Sequence, residues 1–84
     1  MTVTKRMDEL NVNDVIYQYG ALLIINDIWC YEDDRNGRTV IRFKTSPYNN
    51  KSIDILGNFY CNGTYGGYAD VKITCYVKDG ETNE

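Results

Sequence analysis

The chain has 84 residues and 9.7 kDa, with nine Lys+Arg against twelve Asp+Glu for a net charge of −3, and 43% hydrophobic and 13% aromatic residues. Such a chain buries about 64% of its surface on folding, enough for one small core and not for two, which excludes a multidomain protein and a disordered tail. Histidine is absent, so Ser–His and Cys–His nucleophile pairs and the commonest metal ligand are excluded as well.

Residues 1–6 carry no apolar stretch, so no secretory signal is read, and they are expected as a polar, frayed end. A helical turn over about 8–10 leads into a tight Asn13-Asp14 turn and a first strand over about 15–19. The second strand, 21–31, is apolar on both faces through Leu22-Leu23-Ile24-Ile25, with a bulge expected near Asn26-Asp27. This longest apolar run, 21–25, is far short of a membrane span. Asp34-Arg35-Asn36-Gly37 predicts a hairpin with a type I′ turn, because Asn-Gly accepts φ > 0 at both central positions.

The third strand, 38–45, alternates, with Ile41 and Phe43 on one face and Arg38, Val40, Arg42 and Lys44 on the other. Residues 46–51 read as a loop and 52–56 as a fourth strand with Ile53 and Ile55 inward, continuing past Gly57 through Tyr60-Cys61. Asn62-Gly63-Thr64-Tyr65-Gly66-Gly67-Tyr68 reads as a glycine-rich turn, and 69–77 as the last strand with Val71, Ile73, Cys75 and Val77 inward. Residues 79–84 are expected as a second polar, frayed end.

These elements predict one all-β domain over 1–84, a small, partly open SH3-like or OB-like barrel of five to six antiparallel strands. The expected core is Val15, Leu22, Ile24, Ile28, Ile41, Phe43, Ile53, Ile55, Val71, Ile73 and Val77, and Trp29 is read as a packing residue. A core of this size is marginal, so a homo-oligomer that buries the spare apolar face of strand two is expected.

Cys30, Cys61 and Cys75 show no Cys-x-x-Cys spacing, so no zinc site, metal or other cofactor is expected. An odd cysteine count without a signal peptide points to a reducing cytoplasm. Neither serine lies in a Gly-x-Ser-x-Gly context, and the chain is read as a non-enzyme.

From Arg35 to Lys51 there are five cations and no acid, so a net −3 leaves −8 on the rest of the chain. Arg38, Arg42 and Lys44 emerge on one strand face and can grip phosphates or carboxylates, unless cross-strand acids such as Asp54 or Glu32 occupy them. Tyr65 and Tyr68, flanked by glycines, offer flat faces for stacking. The candidate ligand-binding residues are therefore Arg38, Arg42, Lys44, Tyr65 and Tyr68. Two functions follow: sequestration of a phosphate-bearing, nucleotide-like ligand, or inhibition of another protein through the acidic remainder with tyrosine anchors. The acidic total opposes duplex nucleic acid, and no membrane partner is expected.

The segment Glu9-Leu10-Asn11-Val12-Asn13-Asp14-Val15-Ile16, then Gly20 and the apolar strand to Ile28, resembles the opening of many SH3-like barrels. There a hydrophobic-x-x-Gly-Asp-hydrophobic turn feeds the first long hairpin. Asn13 stands in place of the usual glycine, which its tolerance of the left-handed region permits. The small size and the acidic, Asn- and Tyr-rich character also resemble bacteriophage-encoded accessory proteins, which include inhibitors of bacterial defence and proteins that sequester nucleotide signals. That resemblance implies action in a bacterial host's cytoplasm and assigns no functional residue.

Overall fold

The structure, a computed structural model, describes residues 1–77. Its strands are β1 (Thr2–Arg6), β2 (Val15–Gln18), β3 (Ala21–Glu32), β4 (Thr39–Pro47), β5 (Thr64–Tyr68) and β6 (Lys72–Tyr76). A 3₁₀ turn, Met7–Glu9, follows β1, and two short helices, α1 (Asn50–Leu56) and α2 (Asn58–Cys61), lie between β4 and β5. The strands form one antiparallel sheet in the order β1-β6-β2-β3-β4-β5. A meander runs from β2 to β5, and β6 returns beside β2, as a small, partly open all-β barrel.

The barrel is partly open, since β1 and β5 are both edges. The 3₁₀ turn closes part of that gap: Met7 N–H donates to the Val71 carbonyl at 2.8 Å and Asp8 N–H to the Ala69 carbonyl at 3.1 Å. The expected frayed end at 1–6 is thus corrected. Thr2–Arg6 pairs along its length with β6, Val3 opposite Cys75. The expected fray at 79–84 lies outside the described residues.

Two turns exchange their roles. Tyr19 and Gly20 have φ of 51° and 83°, and this two-residue loop joins β2 to β3 with Gln18 opposite Ala21. The Asn36-Gly37 hairpin forms, but only Gly37 has positive φ, so the type I′ expectation there is corrected. The Asp33 carbonyl accepts from both Asn36 N–H and Gly37 N–H, making a longer loop stabilised by the Asp33 side chain. Asn13 does occupy the left-handed region, at φ 78°.

Tight turning at Tyr19-Gly20 sets the parity of β3. Ile16 pairs with Leu23, and both are fully buried with Ala21 and Ile25, whereas the expected Val15, Leu22 and Ile24 are half-buried on the other face. That face carries a ring cluster, Tyr76 making edge contacts with Tyr17 and Tyr48. The bulge falls where expected, between Ile25 and Asp27.

The fourth strand is replaced by α1. Pro47 ends β4, Asn49 caps the helix by accepting from Ser52 N–H at 3.0 Å, and the buried Ser52 hydroxyl donates to the Leu22 carbonyl at 2.6 Å. Ile53 and Leu56, three apart, pack on the core, and Ile55 points out, half exposed. Tyr60-Cys61 belongs to α2, which buries Cys61. The core is Met7, Leu10, Ile16, Leu23, Ile25, Ile41, Phe43, Cys61 and Cys75, with Ile28, Ile53 and Ile73 against it. Of the remaining expected members, Val71 is exposed and Val77 half-buried.

Candidate functional site

The glycine-rich segment forms the edge strand β5 and not a turn, and it brings three strands into one outer face. Residues directly opposite in an antiparallel pair share a face, with Cβ atoms about 5 Å apart. The register gives three ranks across β3, β4 and β5: Asp27–Lys44–Thr64, Trp29–Arg42–Gly66 and Tyr31–Val40–Tyr68. The alternation expected for 38–44 is what places Arg42 and Lys44 together here, because Ile41 and Phe43 face the core.

Gly66 is dictated by close approach. A Cβ there would lie 2.0 Å from the Ile41 carbonyl and 3.0 Å from Arg42 Cδ, so the bare backbone leaves room for the Arg42 chain to lean over β5. Among the described residues, Arg42 and Lys44 form no ion pair. Asp27, opposite Lys44, instead accepts from Ile28 N–H at 2.9 Å.

The cations nearer the hairpin are occupied. Arg38 donates to Asp70 at 3.1 Å, and its guanidinium carbon lies 3.7 Å above the Tyr68 ring centre. Tyr68 hydroxyl donates to the Asp33 carboxylate at 3.1 Å and accepts from Asn36 Nδ2 at 3.2 Å. Arg35 reaches the same carboxylate at 3.2 Å. The Arg35 side chain and then its backbone N–H hold the Asp33 carboxyl below the ordinary aspartate range, against a smaller opposing effect of burial. Pairs with Asp54 or Glu32 do not form; of Arg38, Arg42 and Lys44, Arg38 alone is paired among the described residues, with Asp70. Between these groups lies a shallow hollow of about 210 Å³ lined by Tyr31, Asp33, Arg35, Val40, Arg42, Gly67 and Tyr68.

Of the five residues singled out in the sequence, Arg42, Lys44 and Tyr68 share the outer face and Arg38 covers one side of the Tyr68 ring. Tyr65 lies apart. It pairs with Phe43, packs on the core, donates its hydroxyl to the Tyr60 carbonyl and meets Tyr19 edge-on, and burial pushes its phenol up. The flat surfaces of this face come from two other residues, Trp29 and Tyr31, which are 40% and 51% exposed. The packing role expected for Trp29 is therefore corrected. Its signal was the alternation of Trp29 and Tyr31 with Ile28 and Cys30 after the bulge, which puts both rings outward.

Buried Cys61 and Cys75 have thiols pushed up by desolvation, which opposes thiolate chemistry. Among the described residues no three Cys, Asp or Glu side chains are grouped to hold a metal ion, and no helix is long and apolar enough to cross a membrane. The chain matches no protein-family model, and no curated protein is similar to it in sequence.

Proposed function

We propose that the protein is a non-catalytic binding protein that sequesters a phosphate-bearing, nucleotide-like ligand on the outer face of β3, β4 and β5. The observation that carries this reading is Arg42, free of any carboxylate among the described residues and cross-strand from the exposed Trp29 ring. A guanidinium binds phosphate oxygens through paired N–H groups, and an indole beside it stacks on a base. Lys44 supplies a second point charge one rank away. In this reading Trp29 and Tyr31 take the stacking role first given to Tyr65 and Tyr68. The phage-accessory resemblance supports a setting in a bacterial host's cytoplasm.

The test is a thermal-shift panel of mono-, di- and cyclic nucleotides on the wild type and Arg42→Ala. A ligand at a hundredfold excess over its Kd raises the melting temperature of a domain this size by roughly 10–20 °C. Such a rise, lost in Arg42→Ala, supports the reading; no rise with any member overturns it.

A second reading, a protein-binding inhibitor, is favoured by a separate patch. Phe59 is 81% exposed, Tyr19 74%, Tyr60 59% and Ile55 50%. These residues lie in one region: Phe59 meets Tyr60 edge-on, the Tyr60 carbonyl accepts from the Tyr65 hydroxyl, Tyr65 meets Tyr19 edge-on, and Ile55 lies beside Gly20. Exposed aromatic side chains of this kind suit anchoring to a protein surface. The homo-oligomer expected to bury the spare apolar face of strand two is proposed to use this patch instead, because Val15, Leu22 and Ile24 on that face are already half-buried within the chain. A dimer dissolved by Phe59→Ser supports self-association; a wild-type monomer leaves the patch to a foreign protein.

A further inference from the structure

We infer that the ligand of the outer face is an extended single strand of at least two nucleotides, and not an enclosed mononucleotide. This rests on the nucleotide-binding reading above and adds the geometry of the ligand. Capture of a small molecule calls for a cleft of about 300–1,000 Å³ that covers most of its surface. The hollow on this face is about 210 Å³ and is open along the sheet. A single nucleotide placed there keeps much of its surface in water, whereas a strand laid across the ranks covers the face continuously.

The spacing of the aromatic rings supports the same conclusion. Trp29 and Tyr31 are two residues apart on one face of β3, about 6.7 Å along the strand. That is about twice the 3.4 Å rise between stacked nucleotides in a duplex strand. Bases seated on the two rings are therefore parted from each other, each stacked on protein instead. A duplex cannot supply them, because its base faces are already covered. Tyr68 makes no third platform on its guanidinium-covered side, since Arg38 lies there. Arg42 lies opposite Trp29, and Lys44 follows at the same interval on β4, one rank beyond Trp29 on the side away from Tyr31, so the two cations meet successive phosphates of a strand that runs along β4. Asp27, across from Lys44, has its carboxylate turned to the Ile28 N–H. The acidic remainder of the chain repels the second strand of a duplex and confines contact to this stripe.

Trp29 is the chain's one tryptophan, so its fluorescence reports the site directly. The full chain is titrated at low salt with tetrathymidylate, thymidine 5′-monophosphate and a short blunt duplex. Tetrathymidylate is expected to quench Trp29 and to bind at least tenfold more tightly than the monophosphate or the duplex. Two phosphate contacts give a log–log salt slope of about −1.4. With end-labelled tetrathymidylate followed by anisotropy, Tyr31→Ala and Arg42→Gln are each expected to weaken binding about tenfold. Both positions are surface-facing, and circular dichroism checks that each variant is folded; Trp29→Phe, which keeps a ring, is expected to retain most affinity. Equal affinity for the monophosphate and the tetranucleotide overturns the extended-strand inference and leaves the nucleotide reading standing. Equal affinity for the duplex also overturns it. Binding of none of the three overturns both.

Discussion

The Tyr68 hydroxyl at the end of β5 donates to the carboxylate of Asp33, 35 residues earlier, at 3.1 Å. This contact fastens the edge strand to the β3–β4 hairpin loop. The same carboxylate receives the Arg35 backbone N–H at 3.0 Å and its guanidinium at 3.2 Å, so three donors converge on a buried acid.

Stability is expected to depend on this acid as pH falls. The folded Asp33 carboxyl titrates below its unfolded value, chiefly through Arg35. Its contribution is fully present above the unfolded pKa of about 3.9 and is lost as pH falls through the lower folded value. Melting temperatures between pH 7 and 2 are expected to show a shallower acid limb for Asp33→Asn than for the wild type. Parallel limbs would show that Asp33 contributes nothing to the pH dependence.

Adjacent glycines in β5 are expected to respond oppositely to a methyl group. Gly66→Ala forces a Cβ to within 2.0 Å of the Ile41 carbonyl and is expected to destabilise by about 3 kcal/mol. Gly67→Ala meets nothing closer than Met7 Cε at 3.5 Å and is expected within about 0.5 kcal/mol of the wild type. Urea unfolding of the two variants makes the comparison, and equal losses would contradict the β4–β5 register.

The first turn of α1 is held by two side chains. Asn49→Ala removes the cap on Ser52 N–H and is expected to cost about 1 kcal/mol. Ser52→Ala removes the hydroxyl donated to Leu22 and is expected to cost about 1–2 kcal/mol. The double variant is expected to lose less than the sum, since Asn49 Oδ1 also lies 3.0 Å from the Ser52 hydroxyl oxygen. Additive losses in urea midpoints would mean that the two act independently.

Phe59→Ser is expected to leave monomer stability within about 0.5 kcal/mol of the wild type, because the ring is 81% exposed. Sedimentation of the wild type is expected to show a dimer that this variant converts to monomer. A marked loss of thermal stability at dilutions where the wild type is already monomeric would place Phe59 in the fold and not at an interface.

The legible parts of the sequence were those with one apolar face. Strand β4 alternates Ile41 and Phe43 with Val40, Arg42 and Lys44, and its orientation follows from that alone. In β3, four consecutive apolar residues fit either parity, and the choice was made by the Tyr19-Gly20 turn, whose conformation Tyr does not announce. Ile53 and Ile55 fit a strand period, whereas the Asn49–Ser52 spacing and the Ile53–Leu56 pair fit a helix too short to show a full stripe. The glycines of β5 were read as turn formers, yet none of them has positive φ. Gly66 is there because β4 passes too near for a side chain, a tertiary reason invisible in composition. Trp29 was read as a packing residue from its place in the middle of an apolar strand, although an inward Ile28 after the expected bulge already sets residue 29 on the outer face, where its ring is 40% exposed.

The position of β6 imposes an order of assembly. Among the described residues, β1 is paired in the sheet only with β6, which itself separates β1 from β2. Strand β1 therefore has no place in the sheet until the segment near residue 76 has docked. Pairing β1 to β6 links residues as far apart as Thr2 and Tyr76, the kind of distant pairing that slows folding. Loss of β6 would free β1 with it, and the two strands are expected to leave the sheet together.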